Sequence, residues 1–320
     1  MDLISFAKNP VPSGAMVGTF AGYDGAALRY ARWEPTRGPR RGTVCVFPGR
    51  GEFIEKYFET IADLRRRGFS VAIFDWRGQG GSHRALKNSR KGHITDFSEY
   101  EHDLERFMKD IVLPECLPPF YALGHSMGGN ILLRHAEKSP GWFDRLVLTA
   151  PLLAFSDERM GYPQTLVRNY ARLGSLVGFS SAYVFGGSDD PFDGHAEFEG
   201  NVLTSDANRW QRNFLIVQSA PEWSLGSPTI GWLRAAYRSC AEISQPDFSN
   251  RVMIPTLMFA AGQDKLVSTP VIEEFGVRLK VGSHLLIPNA RHEILQDTDA
   301  VRQYFWAAFD AYIGAASEAA

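Results

Sequence analysis

The chain has 320 residues, with 34 basic and 36 acidic side chains and a formal net charge of −2. Hydrophobic residues make up 44% and charged residues 22%, which excludes a wholly disordered or collagen-like chain. The near-neutral balance gives no general electrostatic reason to bind nucleic acid, and the short cluster Arg37, Arg40 and Arg41 reads as a solvated loop. Cys45, Cys116 and Cys240 are an odd number, widely spaced and without a CxxC pair, so neither a disulfide framework nor a zinc site is expected. Residues 1–12 lack the basic start and apolar stretch of a secretory signal. No apolar run approaches the ~20 residues that span a bilayer. The expectation is a soluble cytoplasmic protein, with peripheral contact at the inner face of a membrane left open and no statement on oligomeric state.

In chain order, residues 26–33 alternate like a strand and 43–47 form a continuously apolar one. Residues 56–67 read as a helix stopped by Gly68, and 70–74 as the next strand, ending at Asp75. Residues 97–112 place Leu104, Phe107, Met108 and Ile111 on one helical face and end before Pro114. A strand over 120–123, a helix over 127–138 and a strand over 145–149 follow. The alternation then lapses. Residues 151–252 show no strand pattern and carry Trp210, Trp223 and Trp232. It resumes with strands at 255–260 and 284–287, a helix near 270–280 and an amphipathic helix from about 300 to 313, before a small polar tail, 315–320, expected to fray. Apolar strands separated by helices imply a mostly parallel sheet covered on both faces. The expected organisation is an α/β core, residues 1–150 and 253–320, interrupted by a mainly helical cap over 151–252. An insertion of roughly 100 residues is too long to be structureless inside a compact domain.

The strongest local signal is Gly124-His125-Ser126-Met127-Gly128-Gly129, which follows an apolar strand and opens a helix. That is the context of a nucleophile elbow. The turn forces the serine into a strained backbone conformation, and Gly124 and Gly128 give the strand and helix clearance to approach. The Met127 N–H falls at a helix N-terminus, where partial positive charge favours an oxyanion. A serine hydroxyl needs a base, and the base an acid to orient it, in the chain order Ser, Asp or Glu, His. Asp264 follows the strand at 255–260 and His292 follows the strand at 284–287. Both therefore stand at carboxyl ends of parallel strands, where such sheets build their sites. The loop Phe47-Pro48-Gly49-Arg50-Gly51-Glu52 is the candidate source of a second oxyanion amide, at Arg50. The Arg50 guanidinium could meet an anionic substrate group or pair with Glu52 or Glu55.

Asp75 precedes Ser126, the wrong order for the acid, and reads as a turn organiser. Glu293 beside the base either supports it or is merely exposed, with exposure the favoured reading, and His125 reads as a locally bonded side chain. His83, His93, His102 and His135 show no partner pattern. No metal-ligand spacing is present, and residues 78–81 lack the lysine and helix of a phosphate-binding loop, so no metal or other cofactor is expected.

Pro-Gly-Arg-Gly-Glu after a strand, Asp-Trp-Arg-Gly-Gln-Gly-Gly-Ser, Gly-His-Ile-Thr-Asp-Phe, Gly-His-Ser-Met-Gly-Gly and Asn-Ala-Arg-His-Glu-Ile together resemble the bacterial lysophospholipase and monoacylglycerol-lipase branch of the α/β-hydrolases. The resemblance covers the core on both sides of the insertion. It implies Ser126 as nucleophile, Asp264 as acid, His292 as base, and Arg50 and Met127 as oxyanion donors. One departure is Pro48-Gly49, where many relatives carry His-Gly. The implied substrate is a small-molecule acyl ester, a single-acyl glycerolipid first. The same fold also hosts peptidases, acyltransferases and non-catalytic binding proteins. A proline-iminopeptidase-like enzyme would need acidic side chains for a substrate ammonium, for which Glu197, Glu199, Asp206 and Glu222 are available.

Overall fold

The computed structural model describes residues 3–36, 39–138, 141–157, 161–191 and 197–314. Arg37, the tail 315–320 and parts of the expected insertion lie outside the described residues. The strands are β1 (Met16–Ala21), β2 (Ala27–Trp33), β3 (Thr43–Phe47), β4 (Ser70–Phe74), β5 (Phe120–His125), β6 (Arg145–Thr149), β7 (Thr256–Ala261) and β8 (Gly282–Ile287). They form one sheet in the order β1-β2-β4-β3-β5-β6-β7-β8. β2 runs antiparallel to β1 and β4, and every pairing from β4 to β8 is parallel.

The continuous apolar strands have both faces covered, as their composition requires. In β3, Val44 and Val46 face a core shared with Phe58, Ile61 and Leu64 of α1 (Phe58–Arg66) and Phe305, Phe309 and Ile313 of α9 (Asp299–Gly314). Cys45 and Phe47 face the opposite core. There they meet Leu104 and Phe107 of α2 (Ser98–Phe107), Ile131 and Leu132 of α3 (Met127–Lys138), and Ile272 and Phe275 of α8 (Thr269–Arg278). One-residue alternation thus sorts each strand between two helical layers. This is the α/β-hydrolase fold, a mostly parallel sheet flanked by helices.

Some element bounds differ from expectation for identifiable reasons. β1 was not anticipated, because it is an edge strand in which only Phe20 is fully buried. The helix over 98–107 does not stop before Pro114. It continues through a wider turn, Met108–Val112, into Leu113–Glu115. Proline is tolerated there because it occupies a first-turn position of the new segment.

Between β6 and β7, the described residues hold α4 (Gln164–Leu176), α5 (Ala207–Ser219), α6 (Ile230–Ile243) and α7 (Phe248–Arg251), and no strand of the sheet. Asp206 caps α5 by accepting the Asn208 and Arg209 amides, and Thr229 caps α6 by accepting that of Trp232. α5 is fastened to the core by Arg209, which pairs with Glu59 and Asp299, and by Arg212, which pairs with Glu59. α6 is fastened to α3 by an Arg134–Glu242 pair and by the Ser239 hydroxyl donating to Asn130 Oδ1 at 2.6 Å. The outer face of α4 is instead exposed, with Leu166, Leu173 and Leu176 each 60% or more accessible. Among the described residues, no helix is long and apolar enough to cross a membrane.

Candidate active site

The turn from β5 into α3 holds Ser126 at φ +48°, a left-handed conformation rare for a side-chain-bearing residue. The surroundings over-determine it. The Ser126 N–H donates to Thr149 O at 3.0 Å, and its carbonyl accepts the amides of Asn130 and Leu152 at 3.1 and 3.0 Å. Glycine is required beside it. A Cβ at Gly128 would lie 2.1 Å from the Phe47 carbonyl oxygen, and one at Gly124 only 3.0 Å from the Gly129 nitrogen. The start of α3 is therefore seated against the end of β3, the strand that leads into the loop carrying Arg50. Met127 is the first residue of α3, so its N–H lacks an intrahelical acceptor.

His292 and Asp264 come together from the ends of β8 and β7. Asp264 Oδ2 accepts from His292 Nδ1 at 2.7 Å, and Oδ1 accepts the amides of Leu266 and Val267 at 2.8 and 3.0 Å. The Asp264 side chain is fully buried and His292 nearly so. Burial alone would raise the carboxyl, but the imidazole and the two amides hold it below its ordinary value. Burial alone would lower the imidazole. The Asp264 charge and hydrogen bond, aided by Glu293 and Glu52, win and hold it above its ordinary value. With Asp264 ionised, the proton sits on Nδ1 and Nε2 is the basic nitrogen.

Ser126, Met127, His292, Gly49 and Arg50 line one cavity of about 350 Å³. Its apolar wall includes Leu152, Phe155, Trp232, Leu233 and Val267, and Asp190 and Ser188 add polar groups. A second groove of about 610 Å³, lined by Tyr162, Leu166, Tyr170 and Phe185, shares Ser227, Pro228 and Leu233 with the first. The Arg50 guanidinium donates to Gly226 O at 3.0 Å and stands over the Trp232 ring at 5.0 Å, while Glu55 is bound by Arg29. The glycine-rich loop is braced by Gln79, whose Nε2 donates to the carbonyls of Gly49 and Glu52 at 2.7 and 2.9 Å, and by Trp76 Nε1, which donates to Pro48 O at 2.8 Å.

Several side observations bear on the expectations. Asp75 organises its turn, bonding Arg29 and the Ile54 and Gly81 amides. His125 Nδ1 lies 3.1 Å from Thr149 O, and burial pushes its imidazole down to about 4 despite Glu52. Glu293 is not exposed. It is buried in the cavity lining with its Oε1 2.5 Å from Lys56 Nζ. None of Glu197, Glu199, Asp206 and Glu222 is among the described residues lining the catalytic cavity. Glu197 and Glu199 line a separate pocket, and Asp206 caps α5. Sequence reasoning missed Asp190, Lys56 and Gln79; only the Glu52/Lys56 spacing, one helical turn, offered a signal. Among the described residues, no group of His, Cys, Asp and Glu side chains is placed to hold a metal ion.

Comparison with known proteins places the chain in a family. Residues 38–299 match the family described as serine aminopeptidase, S33. Lysophospholipase L2 of Escherichia coli (strain K12) is 31% identical over 88% of this chain and 83% of its own length. A monoacylglycerol lipase of Mycolicibacterium smegmatis is 30% identical over 50% of this chain and 54% of its own. A soluble variant of monoglyceride lipase from Saccharomyces cerevisiae shares the fold with a TM-score of 0.74 at 20% identity, covering 95% of this chain and 97% of that one.

Proposed function

The chain belongs to the serine aminopeptidase S33 family, in the lipase-like branch of the α/β-hydrolases, and is a carboxylic ester hydrolase; we propose that it hydrolyses single-acyl lipid esters, lysophospholipid or monoacylglycerol, through an acyl-enzyme on Ser126. The observation that carries this reading is the buried Asp264–His292 pair lining, with the elbow serine, one cavity whose wall includes Leu152, Phe155, Trp232, Leu233 and Val267. The Ser126 hydroxyl attacks the acyl carbonyl as His292 Nε2 takes its proton. The Met127 and Arg50 amides hold the tetrahedral oxyanion, an effect of about 3 kcal/mol for one donor. His292 then returns the proton to the departing alcohol, and water, activated by the same nitrogen, frees the fatty acid.

The residues over 151–252 act in this reading as the cap. Leu233 and Pro228 line both the catalytic cavity and the second groove, so in this reading an acyl chain passes over them from one to the other. The exposed apolar side chains of α4, with Phe179 and Phe185 beyond it, support peripheral contact with the lipid surface that supplies substrate. For a homologous series of lysophospholipids, kcat/KM should rise about fourfold per methylene until the path is full, from the ~0.8 kcal/mol each buried methylene contributes. A flat chain-length profile would contradict an acyl path.

The base must be neutral to accept the serine proton, and its imidazole is held above its ordinary value of 6.5. kcat/KM should therefore climb with pH through a midpoint above 6.5; a midpoint below it argues against His292 paired to an ionised Asp264. The deciding experiment is a substrate panel of lysophospholipid, monoacylglycerol, short p-nitrophenyl esters and aminoacyl arylamides. Preference for the single-acyl lipids is expected, whereas cleavage of the arylamide alone overturns the reading.

A further inference from the structure

A run of buried charges, Glu52 and Glu293 in the cavity lining with Lys56 between them, is left unused by the reaction scheme above. The Lys56 ammonium sits 2.5 Å from Glu293 Oε1 and 3.3 Å from Glu52 Oε1, with the three side chains 1%, 5% and 4% exposed. Glu52 Oε2 accepts the Gly49 N–H and the Tyr57 O–H. Burial raises a carboxyl, yet Lys56, His125, Tyr57 and the Gly49 amide hold Glu52 down to about 2. Buried ions carry a large desolvation cost and are weak as stabilisers, so packed apolar side chains would serve the core as well.

Their placement gives a better reason. Glu293 directly follows the base His292. Glu52 clamps Gly49, which directly precedes the oxyanion donor Arg50. A Cβ at Gly49 would lie 3.0 Å from Glu52 Oε2 and 3.1 Å from His125 Cδ2, so Glu52 and the elbow His125 both close on Gly49. One ammonium thereby joins the base loop to the oxyanion loop, Lys56 and Glu293 being 237 residues apart in sequence. We propose that Lys56, with Glu52 and Glu293, is a positioning group for acyl transfer, fixing the Gly49-Arg50 peptide and the His292 loop in register about Ser126 and setting one net negative charge behind the imidazole. The inference rests on the roles of Ser126, His292 and Asp264 given above.

The charged and titratable groups around His292 are Asp264 from the β7 end, Glu293 on its own loop, Glu52 from the loop after β3, and His125 in the elbow, its ring 4.8 Å away. Arg50 and Asp190 line the same cavity. Two carboxylates against one ammonium favour the imidazolium formed as the Ser126 proton arrives. Removing Lys56 should strengthen that bias and raise the His292 midpoint; removing Glu52 should weaken it and lower the midpoint.

The test is the second-order rate of Ser126 labelling by a fluorophosphonate, measured against pH for wild type, Lys56→Met, Lys56→Arg and Glu52→Gln, with melting temperatures as a check on folding. Lys56→Met is expected to slow labelling by about 100-fold, the scale of a small misplacement of reacting groups. Its midpoint should move up, that of Glu52→Gln down, and Lys56→Arg should restore most of the rate. If Lys56→Met does not fold, Glu52→Gln and Glu293→Gln carry the comparison, each expected to slow labelling and lower the midpoint. A wild type that is not labelled overturns the reading of the site itself. A labelled wild type whose folded variants match it in rate and midpoint, or whose Lys56→Met midpoint moves down with that of Glu52→Gln, overturns the positioning inference alone.

Discussion

Ser126→Ala is expected to lower kcat about 10⁶-fold on every ester the wild type cleaves, as when a nucleophile is removed from a working serine–histidine pair. The melting temperature should scarcely change. The strained φ of +48° is held by backbone bonds to Thr149, Asn130 and Leu152, none of which involves the hydroxyl. Alanine can therefore occupy the elbow at the same backbone strain while contributing no nucleophile. The two buried cysteines offer no substitute. Burial pushes the Cys240 thiol up to about 12 and the Cys45 thiol well above its ordinary value, so neither is a thiolate at neutral pH. Fatty-acid release by the purified variant, with circular dichroism to confirm folding, is the measurement. A variant that keeps full esterase activity removes Ser126 from the reaction.

The elbow was legible in sequence because its requirements are local. Strain at one residue and clearance at Gly124 and Gly128 must be met within a few positions, by residue types that leave little choice. Asp264 and His292 were legible through order along the chain and through the rule that parallel sheets place functional loops at strand carboxyl ends. Glu293 was misjudged for the opposite reason. Its partner Lys56 lies on the far side of the sequence, and nothing in Asn-Ala-Arg-His-Glu signals that the glutamate turns inward. β1 escaped because an edge strand with little buried surface needs little hydrophobic pattern. The fold of the core is thus written in repeated local periodicities. The electrostatic floor of the site is written in long-range pairs, which become visible only once the chain is folded.

Asp264→Asn should lower kcat by about 10⁴-fold near neutral pH while leaving the fold in place, the scale of losing the orienting acid of such a triad. Asparagine has one carbonyl oxygen where aspartate has two acceptors. Oδ1 is already committed to the amides of Leu266 and Val267. If the new carbonyl keeps those bonds, its amide N–H₂ faces His292 Nδ1, and two donors cannot share that contact. The imidazole relieves the conflict by moving its proton to Nε2, the nitrogen that must accept from Ser126. The base is then present, buried and correctly placed, but in the wrong tautomer. The loss of the Asp264 charge also removes the largest influence holding the imidazole up, so whatever activity remains should titrate at lower pH than in wild type. The neighbouring acids cannot take over. Glu293 is joined to Lys56, and Glu52 is engaged by Lys56, the Tyr57 hydroxyl and the Gly49 amide. A folded Asp264→Asn enzyme that keeps more than a tenth of wild-type kcat, with an unmoved pH midpoint, would mean that the proton on His292 is directed by some other group.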